Sequence, residues 1–534
     1  MQQLKLSELS IEQKIGQMLI ARPPRSKADK AFIIELLKNK ALGGIQVTDY
    51  FRLVTGKSDL EQGDRDMIAE FQEVAGYPLL IFDDMEYGFS GGKAILPSPL
   101  GVGSIGTEEA AYEFARITAI EAKAAGYNGV FGPLMDIAMN PESSCVGARA
   151  FGGDKEMVAR LAAAAVRGYQ DEGMLVTAKH FPGSGAAKID NHIRLAPLNR
   201  TEEEIMQEDV IPYLVAMKEA NLSGIMMGQN IAPAIDPDFP ATLSAKVNRF
   251  LREKIGYKGL VITDSFTMVS LRNQFTLSEC LRYGMAAGND MVMTSYREDC
   301  QPVYEAMLAA YREGYVTEEQ INTAVTHVLE AQAKTLKPAR QPDVTEREIL
   351  IADTMNRDSI TASVRCVESA AVDTQQKYLI LIEEGCLCDD PVKGRVREYD
   401  GILNTAEAEI RRRFVNSDIL HIPEFPCRNV MFDLLRKSIH YDKIIMVVYN
   451  KSVAYTGSSD LTRRMLAYME GVSDKLEAVV LFGSPYAARE FPFVPRIIYG
   501  YYESPTCQKY AIQALAGELE PKGKLPIPVQ LREK

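Results

Sequence analysis

The chain has 534 residues, 46% of them hydrophobic and 25% charged, which excludes a mostly disordered chain and fits a soluble globular protein of about two to four domains. With 60 Lys and Arg against 72 Asp and Glu, the net charge is −12 and nucleic acid is not an expected partner. No apolar run approaches the roughly 18 residues of a membrane span, so no membrane partner is expected either.

The first segment, MQQLKLSELSIEQKIGQ, lacks the basic start, apolar centre and small-residue cleavage site of a secretory signal. The eight cysteines, Cys145, Cys280, Cys300, Cys366, Cys386, Cys388, Cys427 and Cys507, form no CxxC pair. Neither a structural zinc site nor a disulfide framework is predicted; free thiols and a cytoplasmic location are. Trp is absent, so a sugar-stacking platform would need Tyr or Phe.

Along the first two-thirds, short apolar runs fall at 15–21, 44–47, 78–82, 129–134, 174–178, 224–227, 259–262 and 290–293. Helical patterns lie between them, at 108–125, 155–170, 202–220, 245–255 and 301–312. Thr201 with Glu204, and Thr317 with Gln320, match the capping-box spacing. Eight strand candidates alternating with helices predict a (β/α)8 barrel, with a doubly wound open sheet as the rival. A formal GxGxxG at 101–106 follows two prolines and is read as a βα loop, not a dinucleotide fingerprint. The segment Gly91-Gly92-Lys93-Ala94 lacks P-loop spacing.

Polar residues gather just after the apolar runs: Asp83-Asp84, Asp136, Lys179-His180 and Asp264. At the mouth of a barrel such positions form active sites; at an ordinary βα turn the acids only cap helices. The stretch Thr335–Asp343, TLKPARQPD, reads as a linker. It divides a barrel over 1–335 from a C-terminal α/β domain over 351–534, with the linker assigned to 336–350. In the second part, strands are expected at 378–382, 444–448, 478–482 and 496–499, and helices at 407–414, 431–439, 461–469 and 506–519. Arg411-Arg412-Arg413 sits in one of these helical patterns and reads as a solvated face.

Two stretches carry chemistry. Lys179-His-Phe-Pro-Gly-Ser-Gly185 makes a sharp loop after a strand and is followed by Asp190-Asn-His192. In an extended segment, residues two apart point to one side, so Asp190 can hold one ring nitrogen of His192 while the other moves a proton. Alone, such a spacing arises easily by chance. The run Gly259-Leu-Val-Ile-Thr-Asp264 places an acid at a strand end, where it can serve as a nucleophile toward an anomeric carbon or as a helix cap.

KHFPGSG with DNH, GLVITDSFTM, Asp84-Met-Glu86, Arg149-Ala-Phe-Gly152 and the closing Gly523-Lys-Leu-Pro526 together resemble glycoside hydrolase family 3, most of all its bacterial β-N-acetylglucosaminidases. The resemblance runs from about residue 14 to 528. It implies a TIM-type barrel followed by a smaller α/β sandwich-like domain, and a retaining exo-hydrolase that removes terminal β-linked N-acetylglucosamine through a glycosyl-Asp intermediate. By the same resemblance Asp264 is the nucleophile, His192 oriented by Asp190 the general acid/base, and Asp84, Arg149, Lys179 and His180 the binders of sugar hydroxyls. No metal or organic cofactor is implied, and the partner is a small GlcNAc-terminated saccharide. The alternatives are a β-glucosidase or β-glycoside phosphorylase of the family, and a non-catalytic carbohydrate-binding protein.

The chain departs from the family pattern near the pocket. Ser184 stands where the family usually has a histidine in PGHG, and Asp84-Met-Glu-Tyr-Gly88 replaces D-Q-E-G-G. The basic residue expected a few positions later is missing or shifted, with Gly92 and Lys93 in that region. A histidine acid/base repels phosphate less than a glutamate would, so phosphate is a candidate acceptor in place of water.

Overall fold

The computed structural model describes residues 1–47, 60–143, 146–294, 298–364, 372–384, 387–390, 394–397, 404–450 and 461–529. Cys145, Cys366 and Cys386 lie outside them. Short apolar runs buried on both faces form parallel strands, since such strands need no polar alternation. They are β1 (Leu19–Ala21), β2 (Gly44–Gln46), β3 (Leu80–Asp83), β4 (Gly129–Val130), β5 (Leu175–Val176), β6 (Ala178–Phe181) and β7 (Gly224–Met227). After a small hairpin, β8 (Ile231–Ala232) with β9 (Asp236–Pro240), come β10 (Leu260–Thr263) and β11 (Val292–Met293).

One sheet runs β11-β1-β2-β3-β4-β5 and another β10-β7-β6. The chain joins them through Thr177, between β5 and β6, and a parallel bridge from Ile262 to Met291 joins them on the other side. Eight strand positions therefore follow one another around a ring, as a (β/α)8 architecture requires. Its interior is one buried cluster containing Ile20, Leu80, Phe82, Phe131, Met226 and Ile262, with Phe82 stacked on Phe131 at 4.7 Å.

The second sheet has the order β12-β19-β18-β17-β13-β16. Its strands are β12 (Thr361–Val364), β13 (Leu379–Glu384), β16 (Asp418–Pro423), β17 (Ile444–Asn450), β18 (Leu476–Gly483) and β19 (Arg496–Gly500). The β14 (Leu387–Asp390) and β15 (Gly394–Arg397) ribbon stands apart. All neighbours in the six-stranded sheet are parallel except β12 with β19. Alternation splits each strand between two cores: Leu379, Leu381, Met446 and Val448 face one, and Ile380, Ile382, Ile445 and Val447 the other. The first core also takes in Leu100, Ala138, Val146, Ala148 and Ala150, so this sheet packs directly on the barrel segment that carries Arg149.

Residues 336–345 lead into the helix Glu346–Ser359. That helix is pinned by Glu348 to Arg116 (2.9 Å) and by Asn356 Nδ2 to Ile95 O (2.7 Å). Both capping boxes read from the sequence are formed.

Several expectations are corrected. Ile15 belongs to the helix Ile11–Gln17, and its strand begins only at Leu19. The glycines at 101–106 form no loop: they lie in and cap the helix Pro99–Ile105, where a Cβ on Gly103 would sit 1.6 Å from Phe151 O. Close packing of the backbone, not ligand binding, requires glycine there. The helical stretches at 202–220 and 245–255 contain π-helical segments, Ile205–Asp209 and Phe250–Ile255. Of the three arginines, Arg413 is buried and paired with Glu409 and Glu518, unlike its exposed neighbours. Among the described residues no helix is long and apolar enough to cross a membrane. Cys280, Cys300, Cys427 and Cys507 are free thiols.

Candidate active site

The polar residues that follow the barrel strands meet at one end of the ring. After β3 the chain turns at Met85, whose φ of 49° lies in the left-handed region. This turn lets the carboxylates of Asp84 and Glu86 reach the same ammonium: Lys179 Nζ, on β6, is 2.5 Å from Asp84 Oδ1 and 2.7 Å from Glu86 Oε1. Lys179 is only 2% exposed. Burial opposes its charge, yet the two carboxylates raise its pKa above the ordinary lysine value. Arg149 grips Glu86 at two points, Nε to Oε2 at 2.6 Å and Nη2 to Oε1 at 2.7 Å. Burial alone would raise the Glu86 pKa; the Arg149 and Lys179 charges outweigh it and hold the carboxyl well below the usual range. Gln46 Nε2, at the end of β2, donates to Asp84 Oδ2 (3.3 Å).

His180, the next residue on β6, is held through Nδ1 by Asp136 Oδ2 at 2.7 Å, and Asp136 Oδ1 accepts from Ser184 N (2.6 Å). Asp136 thus ties the strand to the Gly-rich loop that follows it. Farther along, Asp190 Oδ1 accepts from His192 N and meets His192 Nδ1, both at 2.8 Å. A carboxylate in that position orients the ring and leaves Nε2 turned away from it.

Asp264 follows β10 and is 6% exposed. Its backbone N–H continues the ladder to Met227 O (3.1 Å), and its Oδ1 accepts from Ser265 N (2.6 Å). It caps no helix, since the next one, Val269–Arg272, starts after Met268. Arg22 Nη2 steadies Ser265 Oγ at 3.0 Å. Ser270 N donates to His192 O (3.1 Å), tying the loop after Asp264 to the loop that carries the histidine.

A cavity is lined by Asp136, Arg149, His180, His192 and Asp264, together with Val146, Ser184, Asn191, Gln229 and Met268. Asp84 and Glu86 line an adjoining one that Arg149 also borders. All seven side chains singled out in the sequence are therefore brought to one end of the barrel: Asp264, His192, Arg149 and His180 in the cavity wall, Asp190 behind His192, and Lys179 and Asp84 beside Arg149. Glu86, Asp136, Gln46 and Gln229 belong to the same constellation and were not among them. For Asp136 the signal was its place just after an apolar run; for Glu86 it was its spacing from Asp84. The second domain reaches the rim: Tyr502 stacks on Tyr87, next to Glu86, at 4.9 Å. Among the described residues no group of three or more His, Cys, Asp or Glu side chains could hold a metal ion.

Comparison with known proteins gives the arrangement a context. The family described as "Glycosyl hydrolase family 3 N terminal domain" matches residues 10–331. A β-N-acetylglucosaminidase/β-glucosidase of Cellulomonas fimi is 28% identical over 342 residues, 61% of this chain and 58% of that one, so the chain spans less than two thirds of that relative's length. A β-hexosaminidase of Xylella fastidiosa (strain M23) is 32% identical over 244 residues, 44% of this chain and 72% of that one. Among solved structures, a glycoside hydrolase family 3 β-N-acetylglucosaminidase from Paenibacillus sp. str. FPU-7 superposes with a TM-score of 0.83 at 25% identity, covering 98% of this chain and 100% of that one.

Proposed function

The chain belongs to glycosyl hydrolase family 3, and from that premise we propose that it is a retaining exo-glycosidase removing terminal β-linked N-acetylglucosamine from small saccharides such as cell-wall or chitin fragments. The observation that carries this is the meeting of Asp264 and the Asp190-held His192 in the wall of one cavity. An attacking carboxylate and a proton donor lining one cavity are what a double displacement needs.

In the first step a carboxylate oxygen of Asp264 attacks the anomeric carbon. The bond to the leaving oxygen breaks, its electron pair goes to that oxygen, and His192 supplies the proton from Nε2. Asp190 keeps the proton on Nδ1 and steadies the cation. In the second step the neutral imidazole takes a proton from water as the water oxygen attacks the same carbon, and Asp264 leaves as the carboxylate. Asp84, Lys179, Arg149 and His180 bind the hydroxyls of the sugar, with the buried Lys179–Glu86–Arg149 cluster setting their positions.

Paired chromogenic β-GlcNAc and β-glucose substrates, with wild type and Asp264→Asn, with and without phosphate, test the proposal. Turnover of β-GlcNAc that is lost in the variant supports it. Preference for β-glucose moves the substrate to the alternative glycosidase. Sugar 1-phosphate as the product makes phosphate the acceptor. Ligand binding with no turnover of either sugar supports the binding-protein alternative.

A further inference from the structure

Two side-chain amides in the cavity wall present oxygens that no described group satisfies. Gln229 Nε2 donates to Ser265 O at 3.2 Å. A carbonyl can only accept, so the amide is fixed with its nitrogen toward Ser265. Its Oε1 is buried and has no hydrogen-bond partner among the described residues, in a residue 2% exposed. Asn191 is set in the same way. Asn230 Nδ2 donates to Gly183 O (3.0 Å), which turns Asn230 Oδ1 toward Asn191 Nδ2, and these two are hydrogen-bonded. Asn191 Oδ1 then has no partner among the described residues, in a residue 8% exposed. Both residues line the cavity that holds Asp264 and His192. Buried amide oxygens are nearly always paired, and in a cavity wall the hydrogen comes from a water or from the ligand that displaces it.

The position of Gln229 identifies which hydrogen it takes. It is anchored to Ser265, the neighbour of Asp264, and lines the same cavity as that carboxylate, on the side of the site where Asp264 would meet the anomeric carbon. Next to that carbon, the ring oxygen and the glycosidic oxygen carry no hydrogen and can only accept. The substituent on C2 is the one flanking group that brings a donor. Resting on the glycosidase reading above, we propose that Gln229 Oε1 receives the hydrogen of the C2 substituent, the acetamido N–H in the substrate named, and makes a donor at C2 a requirement of the site. Asn191 Oδ1, next to His192, is a second acceptor in the same wall.

The test compares kcat/KM for a nitrophenyl β-N-acetylglucosaminide and the corresponding 2-deoxy-β-glucoside in wild type, Gln229→Met and Gln229→Glu. Methionine keeps the length and removes the acceptor; glutamate restores one. The ratio of the two substrates within one preparation is independent of how much of it is folded. Gln229→Met is expected to lower the ratio by about 10–100-fold and Gln229→Glu to recover part of the loss. Asn191→Ala should lower the same ratio by a smaller factor. An equal loss on both substrates in Gln229→Met overturns the inference while leaving the glycosidase reading in place. Wild-type protein that turns over neither substrate removes that reading, and the inference with it.

Discussion

Glu86 and Lys179 stand 2.7 Å apart in the floor of the site, with Arg149 closing on the other side of the same carboxylate. One negative group thus serves two cations, with Asp84 as the second carboxylate on Lys179. Replacing Glu86 by Gln leaves Lys179 and Arg149 facing each other with one counter-charge fewer, and removing one partner of a buried ion pair costs about 3–5 kcal/mol. Chemical denaturation of Glu86→Gln should show a loss of that order. The pH dependence has a definite sign. The folded pKa of Glu86 is depressed, so its contribution is fully present above the unfolded value near 4.3 and is lost as pH falls through the lower folded value. Below about pH 4 the wild type should therefore lose stability more steeply than Glu86→Gln.

The Asp190–His192 contact makes a prediction about leaving groups. A general acid matters most when the departing oxygen is strongly basic. His192→Ala should cost about 10²–10⁴-fold in kcat on alkyl or sugar leaving groups, and much less on a dinitrophenyl glycoside. Asp190→Ala should follow the same trend with a smaller amplitude, because it removes orientation and charge support but not the imidazole. A loss independent of leaving-group pKa would assign His192 a binding role instead.

Gly103 provides a structural check remote from the chemistry. A methyl group there would overlap Phe151 O, on the segment just after Arg149. Gly103→Ala must push that segment away, at a cost of about 1–3 kcal/mol, and should raise KM through Arg149. Thermal melting together with steady-state kinetics reads both effects.

The parts of this molecule legible in the sequence are those whose signal is local. Strands buried on both faces leave continuous apolar runs, so β3, β7 and β10 stand out, and the acids just beyond them mark the mouth. Asp190 and His192 meet through a two-residue spacing, but across a turn closed by Ile193 N and Arg194 N on Asp190 O and not along the extended segment expected. What stayed hidden depends on tertiary placement. Glu86 finds Arg149 across 63 residues and Asp136 finds His180 across 44, distances with no periodic signature. Gln229 shows its role only once its amide is turned by Ser265. The glycines at 101–106 share the letters of a nucleotide loop, but their physical reason is close approach of Phe151 to a helix. The π-helical interruption at Ile205–Asp209 escaped because its apolar spacing still fits a continuous helix.

That interruption places Asp209 under the Gly-rich loop, where its carboxyl lies against Gly183: a Cβ built on that glycine would sit 3.1 Å from Asp209 Oδ1. Burial raises the pKa of this carboxyl to about 7; Arg200, 2.7 Å away, lowers it, and Asp136 and Glu208 add to the rise. A folded pKa above the unfolded one near 3.9 means that folding favours the protonated form. The penalty is absent below pH 4 and grows as pH rises to about 7, where it levels off. Asp209→Asn keeps the shape and abolishes the titration. Its stability, measured by urea unfolding at pH 5 and pH 8, should therefore fall less over that interval than that of the wild type. The full difference is bounded at about 4 kcal/mol, less whatever the charged form regains from Arg200. Because Gly183 and Ser184 lie between Asp209 and the Asp136–His180 pair, the same substitution should shift the alkaline limb of kcat/KM as well. Parallel wild-type and Asp209→Asn profiles in both measurements would remove Asp209 as the titrating group.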